Sequence, residues 1–114
     1  MLIKNLTKKT AISRRGKICD SILAKFMGLM FSSKQKNTLI FKFNREQIIS
    51  LHMVFVFYPI DVIFLDKRKI VADFKENFRP FSFCSSKKKA LYAVELPNGT
   101  IRKSKTEIGD KISF

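Results

Sequence analysis

The chain has 114 residues, and 23 lysine and arginine residues against 9 aspartate and glutamate residues give a formal net charge of +14. Two cysteines far apart in the sequence and a single histidine exclude a disulfide framework and a zinc-ligand pattern. The longest apolar run is shorter than the roughly 18 residues that cross a bilayer, and the first residues lack the apolar segment of a secretory signal. We therefore expect one cytoplasmic domain over residues 1–114, with free thiols, no transmembrane segment and no cofactor.

The first third of the chain is predicted to contain one short helix. Residues 1–17 are basic and form either an edge strand or a loose arm before the core of the domain, which spans residues 18–114. Apolar residues recur at helical spacing between Ile18 and Phe26, which predicts an amphipathic helix over residues 20–27. Gly28 can end this helix in a left-handed conformation. An alternating strand over residues 38–43 follows, and residues 44–50 are predicted to be a connection.

The most apolar stretch covers residues 51–66, LHMVFVFYPIDVIFLD. Its valine, isoleucine and aromatic residues favour strands, and Pro59 cannot donate a hydrogen bond within a sheet. The proline therefore divides the stretch into two strands, over residues 51–57 and 61–65. Because the first of them is apolar on both faces, we expect it to be a central strand.

The second half of the chain is predicted to be a series of strands and turns around this stretch. A charged hairpin turn at residues 66–69 leads to a strand over residues 70–74, and residues 75–86 are predicted to be a loop. That loop would lay Phe78, Phe81 and Phe83 against the core. The remaining predicted elements are a solvated run of lysines at 87–89, a strand over 90–96, a turn at 97–99, one helical turn within 100–106 and a last strand over 111–114. Together the elements predict a mainly β protein of the α+β class.

Four motifs occur in order over residues 28–112. The first is Gly28-Leu29-Met30-Phe31, and the second combines Met53, Pro59, Asp61, Phe64 and Asp66. The third is YAVELPNGT at residues 92–100, with Gly99, and the fourth is IGDKI at residues 108–112, with Gly109 and Asp110. In order and spacing these motifs resemble those of the family called domain of unknown function 192.

The resemblance implies a compact, mostly antiparallel β-barrel or sandwich with one short N-terminal helix, and it implies no established reaction. The motif residues would be mainly structural. Two features depart from the family pattern. Val54 and Phe55 stand after the motif methionine, where relatives often have polar residues, and the strongly basic charge is not a family hallmark.

Three polar residues are candidates for a ligand-binding site: His52, Asp61 and Glu95. Asp61 is either a ligand-binding or catalytic group with a perturbed pKa, or a turn residue that accepts backbone N–H bonds. His52 is either part of the same site or a hydrogen-bonded core residue. If the strand that carries Glu95 lies beside them, the three side chains would form a cluster suited to a metal ion or to acid–base chemistry. We assign no catalytic residue and no metal ligand from the sequence.

Basic residues form clusters that make nucleic acid an alternative partner. Small β-barrels that bind single strands combine a basic groove with exposed aromatic rings, here Phe78, Phe81, Phe83 and Tyr92. The alternatives are that the rings belong to the core and that the charge serves only solubility. The candidate nucleic-acid contacts are Lys67, Arg68, Lys69, Lys87, Lys88, Lys89, Arg102, Lys103 and Lys105.

The leading hypothesis from the sequence is a non-catalytic binding or scaffold domain with a site near His52, Asp61 and Glu95. Its partner would be an unknown protein or small ligand, and an exposed apolar patch around residues 78–83 would favour a protein partner. Nucleic-acid binding, with phosphate contacts and little sequence preference, is the second hypothesis. An enzyme or metal site at the same three residues is the least favoured.

Overall fold

The computed structural model describes residues 1–19, 38–52 and 58–114. The predicted helix over residues 20–27, the Gly28-Leu29-Met30 motif and Met53 lie outside the described residues. Within the described residues, no helix is long and apolar enough to cross a membrane.

The described residues form ten strands and one short helix. In chain order these are β1 (Ile3–Asn5), β2 (Thr10–Ser13), β3 (Gly16–Cys19), β4 (Thr38–Gln47), β5 (Ser50–His52), β6 (Ile60–Leu65), β7 (Val71–Phe78), β8 (Phe83–Ser85), β9 (Ala90–Pro97), α1 (Thr100–Ser104) and β10 (Ile112–Ser113).

A five-stranded sheet with the order β3-β4-β9-β6-β7 forms the centre of the structure. Strand β6 is buried at every position and pairs with β7 on one side and with β9 on the other, both antiparallel. The short β3 pairs with β4 in the parallel direction. The sheet is therefore mostly, but not entirely, antiparallel.

The two faces of the central sheet are covered by different elements. One face carries Ile40, Ile63 and Leu96, which pack with Ile3 and Ile101 and so lie under the small sheet β10-β1-β2 and α1. We call this the α1 face. The opposite face is covered in part by the two-stranded sheet β5-β8, and we call it the β8 face. Its side chains include Leu39, Phe41, Val62, Phe64, Ala93, Leu51 and Cys84.

The structure confirms a mainly β protein, and it confirms the predicted strands over residues 61–65 and 90–96 with shifts of one residue at the ends. The hairpin turn is also present: the carboxylate of Asp66 accepts hydrogen bonds from the N–H groups of Arg68 and Ile70. The predicted helical turn within residues 100–106 is α1. A closed barrel or a sandwich remains a prediction from the resemblance.

Two predictions of local structure were wrong. Residues 44–47 continue β4, and residues 75–78 continue β7, because each segment finds a pairing partner in a neighbouring strand. Residues 83–85 form β8 rather than part of a loop. Ile18, which precedes the predicted helix, lies in β3.

The central-strand prediction for residues 51–57 was also wrong where the structure describes it. Strand β5 pairs only with β8 among the described strands, and it lies over the central sheet instead of within it. Residues 53–57 are outside the described residues. Composition does not distinguish a strand at the centre of a sheet from a strand that lies over it.

A buried polar network joins the ends of the chain. The Asn5 side-chain amide donates to Thr106 Oγ1 at 3.1 Å and to Asp110 Oδ2 at 2.9 Å. Lys8 Nζ lies 3.3 Å from Asp110 Oδ1, and the Glu107 N–H donates to Asp110 Oδ2. Burial acts to raise the pKa of the Asp110 carboxyl, but the hydrogen bonds from Asn5, Glu107 and Lys8 outweigh it, so that this pKa lies below its usual value.

We expect Asp110→Asn to lower the free energy of unfolding by about 1–3 kcal/mol at pH 7, because it removes the negative charge and replaces one of the two acceptor oxygens with an amide donor. Because the pKa of Asp110 is lower in the folded state, its carboxylate stabilises the fold at pH values above the unfolded-state pKa. This contribution is lost as the pH falls through the folded-state pKa. The difference in the free energy of unfolding between wild type and variant, measured by urea unfolding, should therefore become smaller below about pH 4. Glu107→Gln is the control, because that exposed side chain contacts only Lys8 among the described salt bridges. An equal gap at pH 7 and pH 3 would contradict the assignment.

Candidate functional site

Asp61 lies on β6 with a buried side chain, and its carboxylate binds backbone N–H groups. Oδ1 accepts from Asn77 N–H at 3.1 Å, and Oδ2 accepts from the N–H groups of Gly99 at 3.1 Å and Ile101 at 2.9 Å. Gly99 has a φ of 92°, which favours glycine, and this turn brings the start of α1 over the carboxylate. The contacts match the interpretation of Asp61 as an acceptor of backbone hydrogen bonds.

Glu95 lies on the opposite face of the same sheet. In the β6–β9 register Asp61 pairs with Leu96 on the α1 face, whereas Glu95 pairs with Val62 on the β8 face. The structure therefore does not bring the Asp61 and Glu95 side chains together. His52 pairs with Phe83 through the backbone of β5 and β8, and its side chain is outside the described ones.

Burial raises the pKa of the Glu95 carboxyl to about 8. The cause is that a carboxylate in a low-dielectric interior loses its hydration. Strands β4 and β6 flank it, and its pairing residues there, Leu39 and Val62, are apolar and buried. At neutral pH the Glu95 side chain is thus mainly protonated.

A recess of about 480 Å³ opens between β7 and β8. Phe64 contributes a buried ring to its lining, and the other lining residues come from the two strands and the segment after β8: Asp73, Phe74, Lys75, Glu76, Cys84, Ser85 and Lys87. One hydrogen bond joins its two walls, from the Lys87 N–H to Asp73 Oδ2 at 2.9 Å. The other carboxylate oxygen of Asp73 accepts from the Phe74 N–H at 2.8 Å.

The sheet register places Glu95 next to this recess. Lys75, Val62 and Glu95 lie in one row across β7, β6 and β9 on the β8 face. Cys84 packs over this face, and burial raises the pKa of its thiol. The positive charge of Lys75 lowers that pKa, and the negative charges of Asp73 and Glu95 raise it further. Cys84 is therefore within electrostatic reach of both carboxyl groups.

The arrangement can hold a small polar molecule against an apolar floor. Lys75 is exposed and can supply a positive charge, and Asp73 has both oxygens engaged by backbone N–H groups. A thiol with a raised pKa is a weak nucleophile. No three His, Cys, Asp or Glu side chains among those described are grouped so that they could hold a metal ion.

The candidate nucleic-acid residues fall at two ends of the sheet. Strand β9 begins beside the end of β6, so residues 87–89 lie near the β6–β7 turn with Lys67 and Arg68. Arg102, Lys103 and Lys105 follow the other end of β9. Lys69 is engaged differently, because its Nζ donates to the Phe114 carbonyl at 2.9 Å and lies 3.9 Å from the Phe114 ring centroid.

The three phenylalanines that were predicted to cover the core behave differently. Phe78 is buried, but Phe81 is 67% exposed and Phe83 is 83% exposed. The prediction was therefore wrong for two of the rings. Since β8 pairs as an edge strand with β5, Phe83 alternates away from Cys84, which packs on the core.

Sequence reasoning missed the recess. Asp73, Lys75 and Cys84 were not candidate site residues, since Asp73 belongs to the predicted strand over residues 70–74 and the other two to the predicted loop over residues 75–86. One signal was present: Asp73 and Lys75 are two residues apart, which places two charged side chains on one face of a strand.

The remaining motif residues have local backbone roles. Gly99 and Gly109 adopt positive φ values of 92° and 95°, and Pro59 precedes β6. Asp66 closes the β6–β7 turn.

Comparison with family profiles gives a match to DUF192, described as uncharacterised ACR, over residues 4–114. A UPF0127 protein from Thermococcus sibiricus is 40% identical over 116 residues, covering 100% of this chain and 74% of the relative. A UPF0127 protein from Pyrococcus furiosus is 37% identical over 112 residues, covering 96% of this chain and 95% of the relative.

Two solved structures share the fold. A protein of unknown function from Novosphingobium aromaticivorans has a TM-score of 0.85 and 19% identity, covering 99% of this chain and 82% of that one. A proposed transcription regulator from Sinorhizobium meliloti also has a TM-score of 0.85, with 18% identity, covering 98% of this chain and 89% of that one. At this identity the likeness concerns the fold alone.

We expect Asp61→Ala to lower the free energy of unfolding by at least about 2 kcal/mol, because it leaves three backbone N–H groups without their acceptor. Asp61→Asn keeps one carbonyl oxygen as an acceptor, so it should lower the free energy of unfolding by less than Asp61→Ala does. Urea unfolding of both variants measures the difference. Glu76→Ala, an exposed residue on β7, is the control. A fully stable Asp61→Ala variant would show that the carboxylate does not hold α1 on the sheet.

Glu95 should make stability depend on pH in the alkaline direction. Its folded-state pKa of about 8 exceeds the usual 4.5. The contribution of protonated Glu95 to the free energy of unfolding is thus complete below pH 4.5. This contribution is lost as pH rises through the folded-state pKa of about 8. We expect the melting temperature of wild type to fall relative to Glu95→Gln between pH 5 and pH 8. Parallel melting curves for the two proteins across this range would contradict a raised pKa, and the exposed Glu107→Gln serves as control.

Proposed function

We propose that this chain, which belongs to the DUF192 family of uncharacterised proteins, is a non-catalytic binding domain whose recess between β7 and β8 takes a small anionic ligand. The single observation that supports the proposal most directly is the recess itself. Its volume of about 480 Å³ falls within the range of small-molecule sites.

The residues that line the recess are suited to binding a small molecule. An apolar floor at Phe64 offers contact area, and polar groups from two separate strands converge above it. Small-molecule sites combine these two features. The Lys87 N–H to Asp73 hydrogen bond joins the two walls and fixes their separation at that point.

The charges of the recess favour an anionic group on the ligand. Lys75 and Lys87 line it, and neither forms a salt bridge among the described residues. Asp73 is buried, and its oxygens are directed to backbone N–H groups rather than to a ligand cation. Glu76 is the remaining acid, and it is exposed.

The neighbouring ionisable groups support binding rather than reaction. The raised pKa of the Cys84 thiol keeps it protonated, so it is a poor nucleophile. Glu95 titrates near pH 8, within the range of a general acid or base, but it lies behind the recess and is not among the residues that line it. A proton-transfer role would need it at the surface of the recess.

We expect small carboxylates and phosphates, screened by ¹H–¹⁵N chemical-shift changes, to perturb the amides of residues 73–76 and 84–87. Lys75→Ala should weaken the affinity of a hit by about fivefold or more, because one charge-assisted contact is lost. The matched control is Lys42→Ala, an exposed lysine that pairs with Tyr92 on the other face. Shifts spread evenly over the protein, or equal losses in both variants, would overturn the proposal.

A further inference from the structure

Two basic segments that are distant in sequence meet at one end of the central sheet. Leu65, the last residue of β6, pairs with Tyr92 near the start of β9. The β6–β7 turn, with Lys67 and Arg68, therefore lies beside the residues that precede β9. Those residues are Lys87, Lys88 and Lys89, and we call the five cations together the basic end.

The cations of the basic end are available to a partner. All five residues are exposed, and none of them takes part in a salt bridge among the described residues. The acids beside them bind backbone instead. Glu46 accepts the Lys67 N–H at 2.8 Å, and Asp66 and Asp73 accept the N–H groups of Arg68 and Lys87.

An exposed aromatic ring lies on the path that leads to the basic end. Phe83 is 83% exposed and begins β8, the strand that runs directly to Lys87. The two positions lie four residues apart in the chain, which limits their separation to at most roughly 13 Å. Surfaces that bind single strands combine cations for the phosphates with aromatic rings for the bases.

We propose that the basic end, with Phe83, binds the phosphate backbone and one base of a single-stranded nucleic acid, at a site that adjoins the ligand recess at Lys87. Phosphate contacts supply the affinity and carry little sequence information. The five cations share one end of the sheet, where a flexible strand can contact several of them. The three cations after β9 lie at the opposite end, so they are not part of this surface.

The test is titration of a fluorescein-labelled 12-nucleotide single strand with the full chain at several salt concentrations. The expected result is binding near 100 mM salt with a negative log–log slope. Lys88→Ala/Lys89→Ala should weaken binding by about tenfold and reduce the slope by roughly 1.4, for two lost phosphate contacts.

Two further variants make the test specific. Arg102→Ala/Lys103→Ala removes the same charge at the opposite end and should change affinity less than twofold. Phe83→Ala should weaken binding by at least about fivefold and leave the salt slope unchanged, because stacking releases no counterions. All these side chains are exposed, and equal melting temperatures would show that the variants fold.

Four results would overturn the proposal. The first is no binding at 100 mM salt, and the second is equal loss in both double variants, which would mean that only net charge matters. The third is binding of duplex but not single strand. The fourth is binding to vesicles of anionic phospholipid with no binding to the oligonucleotide. Occupancy of the recess by a small ligand is measured separately, through Lys75→Ala. Lys88 and Lys89 do not line the recess, and Lys75 is not part of the basic end, so the two proposals can fail independently.

Discussion

The structure depends on the burial of β6 on both faces. Six consecutive residues, IDVIFL, are inaccessible to solvent, so the chain must cover the sheet from both sides. The small sheet β10-β1-β2 and α1 cover one face, and β5-β8 cover part of the other. Asp61 is the one charged residue in this strand, and three backbone N–H groups compensate its burial. The same hydrogen bonds hold the turn after β9 and the start of α1 against the sheet. Asp61, a candidate site residue in the sequence, therefore helps to hold the elements that cover the α1 face.

The recess lies on the β8 face because the two faces of the central sheet are covered to different extents. On the α1 face, elements from both ends of the chain interlock through Asn5, Thr106 and Asp110. On the β8 face, a two-stranded sheet lies over the centre, and space remains beside the edge strand β7. Glu95 lies under this cover, and its burial raises its pKa to about 8. The two groups on this face whose pKa values are raised by burial, Cys84 and Glu95, therefore lie at or next to the recess.

The basic charge is distributed by the sheet register rather than by the sequence order. The β6–β7 turn and the segment before β9 meet because β9 runs antiparallel to β6, whereas the cations after β9 follow its opposite end. Lys69 follows Lys67 and Arg68 in the sequence, but it is half-buried and its ammonium group contacts Phe114. A net charge of +14 thus becomes at least two separate surfaces with different neighbours.

The sequence alone determined the mainly β class, the strands around Val62 and Val94, the turn at Asp66, and the family, because these follow from local propensity, turn chemistry and ordered motifs. Only the tertiary structure decided which face each side chain occupies. Asp61 and Glu95 lie on adjacent strands, yet a register offset of one residue directs them to opposite faces of the sheet. Composition also could not show that β5 and β8 form a cover over the sheet, or that Phe83 is exposed while Phe78 is buried. Those outcomes depend on strand pairing between residues far apart in sequence, and no local pattern encodes it.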